Sequence, residues 1–375
     1  MTPGFSLWLD LLRAGAALTV LLGHMAHLRF TRGDYYVLRE WNVASDAVIV
    51  FFVLSGLVIA AAAARDGSLG RFAFKRVTRI YGVLIPALLL TVVFDALGRW
   101  VDPAAYQAPF FEPVSGADML LRGLTVTSEW QGLWPRLRLG SNGPLWSLSY
   151  EVAFYMLFAT CVFLHGLVRV ILVLLLGLLA GLPILALLPC WWLGVLVWWR
   201  MDQKAAPSLS MAWLCAIGGP VCALVLKISG LPDLLSQRTA EALAPFNHHL
   251  VLGYSDEALW SFVLASCIAL HLWGVYGLAS RRPSLEQTAH ARAIRWIAGG
   301  SFSIYVVHYP SLHLLDAVLP NDLPGHDLWM FGLTLTICFA FARMFERPLA
   351  WQRGWLIGVW QRLSPGAAAA KLEME

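Results

Sequence analysis

Charge is what this sequence has least of. Of its 375 residues only 13% are charged and 59% are hydrophobic. An ordinary soluble domain carries roughly 25% charged residues. So little charge cannot clothe the surface of a soluble domain this long, so lipid is the main solvent. The net charge of +4 is small and dispersed. No basic cluster has interleaved aromatics, so nucleic acid is not an expected partner. Cysteine is also sparse: Cys161, Cys190, Cys215, Cys222, Cys267 and Cys338 all fall in apolar runs, without metal-site spacing. They read as small apolar helix residues. The tandem His248–His249 has no neighbours that complete a ligand set, so neither a metal nor a permanently bound cofactor is expected. There is no repeat of fixed period. The first apolar run lacks a small-residue cleavage site and contains Asp10 and Arg13, so it reads as a mature helix and not as a signal peptide.

What the chain does have is apolar length. A spanning helix needs about 20 mostly apolar residues. Qualifying runs lie near 7–28, 44–64, 80–97, 144–164, 207–227, 257–278, 296–318 and 327–345. The stretch 167–199 is broken by Pro183 and Pro189; it is too long for one span and short for two. Charge favours two. With the N-terminus in the cytoplasm, the inner loops then hold about twice as many Lys and Arg as the outer ones, as the positive-inside rule requires. A single span would place the basic stretch 281–295 outside. The expected fold is therefore an all-α polytopic transmembrane helix bundle of about ten spanning helices, with both termini cytoplasmic. It forms one membrane domain over 1–363 in the cytoplasmic (inner) membrane, followed by a flexible tail at 364–375 that need not belong to the natural chain. Two long loops, 98–143 and 228–256, fall outside, and Trp100, Trp130 and Trp134 suit an interfacial position.

Several residues do not belong in lipid. The first helix reads LWLDLLRAGAALTVLLGHMAH. Arg13 and His24 are eleven apart, about 20° past three full turns. They share one stripe, separated by about 16 Å along the axis. Asp10 precedes Arg13 by three. Intramembrane ionisable groups face the bundle interior or a wet cavity. Asp10 and Arg13 fit either an ion pair bracing the inner helix end or a ligand contact. His24 fits either a packing histidine or a base, and His27 lies closer to the outer surface. At 75–81 the sequence is KRVTRIY. Arg76 and Arg79 lie on one helical face. They fit a surface anchor or a clamp for an anion, since guanidinium suits bidentate phosphate contact. At 143–155 the sequence is GPLWSLSYEVAFY. Ser147 and Glu151 face the same way, and this helix starts outside. Glu151 is therefore expected at a depth similar to that of His24, where the two hydrogen-bond and the carboxylate raises the basicity of the imidazole. At 301–310 the sequence is SFSIYVVHYP. Ser301, Tyr305 and His308 approximate one face, and either line a cavity or tie helices together.

In combination these segments resemble acyltransferase family 3, a family of integral membrane acyl transferases, over most of the chain. The resemblance rests on Arg13-x10-His24, FFVLSGL at 51–57, Arg76-x-x-Arg79, Ser147-x-x-x-Glu151 after Pro144-Leu145-Trp146, Ser303-x-Tyr305-x-x-His308 and Glu346-Arg347-Pro348. Leu12 stands where a glycine is common, and no segment of these 375 residues is expected to form the extra soluble hydrolase-like domain of some members. The resemblance implies transfer of an acyl group, usually acetyl from acetyl-CoA, to a hydroxyl of a glycan or lipid-linked sugar. His24 would be the general base and Glu151 its orienting partner. Arg76 and Arg79 would hold the cytoplasmic donor, and Asp10, Arg13, Ser147, Tyr305 and His308 would contact substrate or brace the route. An acyl-histidine intermediate is the variant mechanism. The rival class is a proton-coupled transporter or a flippase for a lipid-linked glycan, which also uses buried His, Arg and Glu. The other membrane O-acyltransferase architecture keeps its histidine late in the chain, which makes His24 the wrong place.

Overall fold

A computed structural model describes residues 1–107, 111–244, 252–281 and 288–354. The tail at 364–375 and His248–His249 lie outside the described residues. Ten principal helices follow one another: α1 (Pro3–Met25), α2 (Val43–Asp66), α3 (Leu69–Val101), α4 (Trp146–Phe163), α5 (Gly166–Ala180), α6 (Leu182–Asp202), α7 (Leu209–Ile228), α8 (Ala258–Ala279), α9 (Ser301–Val318) and α10 (His326–Phe341). No strand occurs among the described residues. Shorter helices, including Leu28–Thr31, Gly116–Thr125 and Ala289–Ala298, connect them.

Eight helices are long and apolar enough to cross a membrane: α1, α2, α3, α4 with the turn before it, α6, α7, α8, and α10 with its extension to Gly354. The two others of the expected ten fall short for different reasons. α5 is apolar but has 15 residues, about 22 Å of helix against a hydrocarbon core of about 30 Å. α9 has 18 residues but carries three serines, two histidines, two tyrosines and an aspartate. That polarity is tolerated because α9 is central, packed against α1, α3 and α10, with twelve of its residues buried. Polar side chains inside the bundle meet protein and not lipid.

The stretch 167–199 is two helices, of which only α6 is long enough to span, and the break is not at a proline. It falls at Gly181, whose φ of +88° is in the region that favours glycine. Pro183 sits in the first turn of α6, where its missing N–H has no helical partner to lose, and Pro189 lies inside α6. Where α2 crosses α6 the backbones nearly touch. A Cβ at Gly56 would run into the Trp191 carbonyl oxygen, and one at Gly194 would run into that of Val53. Small residues permit such approach in lipid, where packing replaces the hydrophobic effect between helices.

The loop from Val126 to Asn142 does not stay at the surface. Ser128, Glu129, Trp130, Leu139, Ser141 and Asn142 are all buried. Trp130 is only 3% exposed, whereas Trp100 is 82% exposed, so the expected interfacial role fits Trp100 and not Trp130. The Ser141 N–H donates to Asp95 of α3 (3.0 Å). The Asn142 amide donates to Thr91 of α3 (3.0 Å) and to the Val306 carbonyl of α9 (2.9 Å). That carbonyl is free because its helical partner would be the N–H of residue 310, which is proline. α4 therefore begins pinned inside the bundle.

Candidate active site

Four helices and the start of α9 surround a cavity of about 930 Å³, counted out to its mouth. Its charged lining consists of Arg13 from α1, Arg76 and Arg79 from α3, and Glu151 from α4. Arg13 stands ten residues above the start of α1, about 15 Å along the axis. It is therefore deep in the bundle and not at the helix end. It donates to Asp10 (3.2 Å). Arg76 faces Asp66 at 3.9 Å and lies over the Phe72 ring. The same Asp66, whose side chain is fully buried, takes a hydrogen bond from Lys75 (3.0 Å). The Nε of Arg76 is buried without a hydrogen-bond partner. Arg79 makes no hydrogen bond or ion pair among the described residues and lies at the exposed rim. Three guanidinium groups against one carboxylate make the lining net positive, a field suited to a polyanion.

Glu151 lies farther in. Its Oε1 accepts from the Ser55 hydroxyl of α2 (2.5 Å) and from the Tyr155 phenol one turn along α4 (2.5 Å). Trp191 of α6 donates its indole N–H to Ser55 Oγ (3.2 Å). The Gly56–Gly194 crossing brings Trp191 and Ser55 this close. Two turns before Glu151, the Pro144 carbonyl accepts from the Tyr305 phenol (2.9 Å), so one turn before Glu151 the Ser147 hydroxyl donates to Tyr305 (2.5 Å). The Phe51 ring packs edge-on against Tyr305 at 5.8 Å. Tyr305 lines the cavity on one side. On the other, its own carbonyl oxygen lies 2.8 Å from His308 Nδ1.

His308 is fully buried and meets His24 across α1 and α9, with His308 Nε2 2.9 Å from His24 Nδ1. The rings stack at 5.1 Å, and Tyr309 flanks His24 at 4.8 Å. A column of polar side chains thus rises through the bundle. Arg13, Arg76 and Arg79 form its base; Glu151 with Ser55 and Tyr155, then Tyr305 with Ser147, stand above; His308 and His24 form its top. From Tyr305 to His308 is three residues of helix, about 4.5 Å.

The structure brings Arg13, Arg76, Arg79, Glu151, Ser147 and Tyr305 to one cavity, and Asp10 touches it through Arg13. The expected bond between His24 and Glu151 does not form: Glu151 bonds to Ser55 and Tyr155, and His24 bonds to His308. Glu151 sits below Tyr305 because the start of α4 is drawn into the bundle. His27 caps the short helix Leu28–Thr31 by accepting the Arg29 N–H (3.2 Å). Two residues that hold Glu151 carried no assigned role in the sequence. Ser55 lies inside FFVLSGL, and Tyr155 stands one turn after Glu151, a spacing at which helical side chains meet. Glu346 of Glu-Arg-Pro accepts the Ser303 N–H (2.8 Å), so it caps the first turn of the helix that carries Tyr305 and His308. Outside the spanning helices, Glu129 faces Arg136 at 3.3 Å. Burial pushes its carboxyl up to about 7 despite the opposing pull of Arg136 and Arg138.

Comparison with known proteins joins these observations. The acyltransferase MdmB of Streptomyces mycarofaciens is 33% identical over 151 residues, 39% of this chain and 36% of that protein. An O-acetyl transferase of Shigella phage Sf6 is 29% identical over 155 residues, 40% of this chain and 43% of that protein. The matched stretch thus spans about two fifths of each relative. No solved structure matches the chain. The acyltransferase domain of family 3 matches residues 6–343, a range that includes every cavity residue and both stacked histidines, and the chain belongs to that family.

Proposed function

We propose that the protein is a membrane O-acyltransferase. It moves an acyl group, acetyl from cytoplasmic acetyl-CoA, to a hydroxyl of an extracytoplasmic glycan or lipid-linked sugar. The observation that carries the reading is the polar column. Its base is net positive and open, as the phosphates of an acyl-CoA require, and its top is an imidazole near the outer end of α1. The acyl arm would pass Glu151 and Tyr305 on the way. Arg79 and Arg76 would clamp the phosphates. At the top, His24 would take the proton of the acceptor hydroxyl as its oxygen attacks the thioester carbon. The carbon–sulfur bond then breaks, and His24 returns the proton to the departing thiolate. Such a base contributes typically 10²–10⁴-fold. Glu151 belongs to the route and not to the base, since its oxygen is held by Ser55 and Tyr155.

The test is the purified protein in lipid vesicles, supplied with labelled acetyl-CoA and a polysaccharide acceptor. Acylated acceptor and free CoA are expected in equal amounts, and His24→Ala is expected to lose both. Full transfer by His24→Ala would remove the base role. A labelled acyl-enzyme, trapped before acceptor is added, would replace direct transfer by a covalent route. Movement of a lipid-linked glycan without any release of CoA would favour the transporter. Mass spectrometry of surface glycans with and without the gene then identifies the acceptor, by a mass difference of one acyl group.

A further inference from the structure

The protons on the two stacked histidines follow from their partners. His308 Nδ1 lies 2.9 Å from the Ile304 carbonyl oxygen and 2.8 Å from that of Tyr305. A carbonyl only accepts, so Nδ1 carries a hydrogen. His308 has 0% exposure, and no carboxylate is among its described partners. A buried cation there would be uncompensated, so His308 is neutral and its Nε2 is a lone pair. That lone pair faces His24 Nδ1 at 2.9 Å, so His24 Nδ1 must carry the bridging hydrogen. The nitrogen left over on His24 is Nε2, which makes no hydrogen bond among the described residues. His271 is the contrast within the same bundle. Its Nδ1 meets the Ala216 carbonyl (2.7 Å), and its Nε2 accepts from the Trp8 indole (3.0 Å). Both of its nitrogens are used, so it only ties helices together.

We propose that His308 is a positioning residue: it fixes His24 as the Nδ1–H tautomer and so presents the His24 Nε2 lone pair to the acceptor hydroxyl. This rests on the reading of His24 as the base. A neutral imidazole in water favours hydrogen on Nε2, the nitrogen where a base needs its lone pair. The His308 acceptor reverses that preference. In the reaction the hydroxyl proton moves to His24 Nε2 as the carbon–oxygen bond forms. The imidazolium keeps its Nδ1–H on His308 Nε2. When the carbon–sulfur bond breaks, the Nε2 proton passes to sulfur. His308 neither gains nor loses a proton. Its hold on the Ile304 and Tyr305 carbonyls fixes the plane of its ring, and Tyr309 closes another side of His24.

The experiment is nitrogen NMR of histidine-labelled protein in lipid, with signals assigned by loss in His24→Asn and His308→Gln. The expected result is hydrogen on Nδ1 and a lone pair on Nε2 for both residues, with through-bond coupling between His24 Nδ1 and His308 Nε2. The tautomer itself is read on the unaltered protein. Kinetics supply the second arm. His308→Leu removes the acceptor and is expected to move the hydrogen of His24 to Nε2. It should lower kcat by 10²-fold or more, within the range of a lost general base, at unchanged KM for the donor. His308→Gln keeps an acceptor oxygen and is expected to retain activity within about tenfold of the unaltered protein, well short of a lost base. His24 with hydrogen on Nε2 in the unaltered protein overturns the proposal. So does a folded His308→Leu with full kcat while His24→Ala is inactive; that outcome leaves the base reading standing. Full activity of His24→Ala overturns the base reading itself, and the proposal with it.

Discussion

Arg79→Ala is the cleanest test of the donor clamp, because Arg79 makes no hydrogen bond or ion pair among the described residues and touches the fold only through its charge, which Arg13 and Glu346 feel. Arg13 holds Asp10, and Arg76 is packed on Phe72 and faces the buried Asp66. Removing either mixes lost binding with lost structure. Arg79 has no hydrogen bond or ion pair among the described residues and lies at the rim of the cavity, where Arg13 repels it. Its truncation should leave thermal stability within about 0.5 kcal/mol, as for a surface substitution. A hydrogen bond to a charged group is worth about 1.5–3 kcal/mol. At 1.4 kcal/mol per tenfold, KM for acetyl-CoA should rise about 10- to 150-fold. The effect on kcat should be small, because the phosphates do not change during acyl transfer. Arg79→Lys should recover part of the affinity, since it keeps the charge and loses the fork. The assay is CoA release in vesicles at varied acetyl-CoA, repeated with a dephosphorylated donor analogue. With that analogue the gap between the unaltered protein and Arg79→Ala should narrow. An unchanged donor KM in a stable Arg79→Ala protein would refute the clamp.

Gly56→Ala should destabilise the fold by about 1–3 kcal/mol, because its Cβ would press on the Trp191 carbonyl and part α2 from α6; an unaltered unfolding temperature in the same detergent would show the crossing is looser than it looks. Asn142→Leu leaves the Val306 carbonyl buried and unpaired, a loss of about 1–3 kcal/mol. Pro310→Ala restores the missing helical N–H, so the same Asn142→Leu change should cost measurably less in a Pro310→Ala background, and equal costs in the two backgrounds would break the argument. Glu129 carries the pH prediction. Its folded carboxyl binds a proton up to about 7 against an ordinary value of 4.5. Between those values the folded state holds more protons than the unfolded one, so this group's contribution falls as pH rises from 4.5 to 7, by about 3 kcal/mol. Glu129→Gln should flatten stability against pH over that window, and an identical slope in both proteins would exclude Glu129 as its source.

Most of the fold was legible because lipid imposes length. Runs of about 20 apolar residues can do little but span, and each such run in the sequence meets a helix. α9 was legible for the same reason even though its composition is too polar for an isolated span; the bundle around it supplies the environment its serines and histidines need. The place of the break in 167–199 is not legible from its prolines, since neither Pro183 nor Pro189 stops a helix. Proline is tolerated in a first turn, and the glycine two residues earlier makes the reversal. In the site, Arg13, Arg76, Arg79, Ser147, Glu151 and Tyr305 were readable as polar groups on shared helical faces, and the cavity unites them. Ser55 was not readable as a Glu151 partner, since nothing in one sequence says which serine of α2 faces α4. The α2–α6 glycine crossing decides that.

The separation of Glu151 from His24 has a single physical cause. Read from the sequence, the helix starts at the outer membrane surface, and depth follows from the number of residues past that start. On that count Glu151, eight residues after Gly143, stands about 12 Å below the surface, not far from the level of His24. The start is in fact held down. Asp95 takes the Ser141 N–H, and Gly140 lies so close to that carboxylate that a Cβ would collide with Asp95 Oδ2, at a φ of +61° that favours glycine anyway. Asn142 binds the Val306 carbonyl that Pro310 leaves open, and Tyr305 binds the Pro144 carbonyl. α9 therefore sets the level of α4 through backbone groups on both helices. Ser147 lands on Tyr305, Glu151 falls one turn lower, and the place beside His24 is left to the next turn of α9, which carries His308. The pins are Asp95 of α3 and Pro310, two residues past His308. Together they pin the loop, and the pinned loop decides which residue becomes the partner of His24.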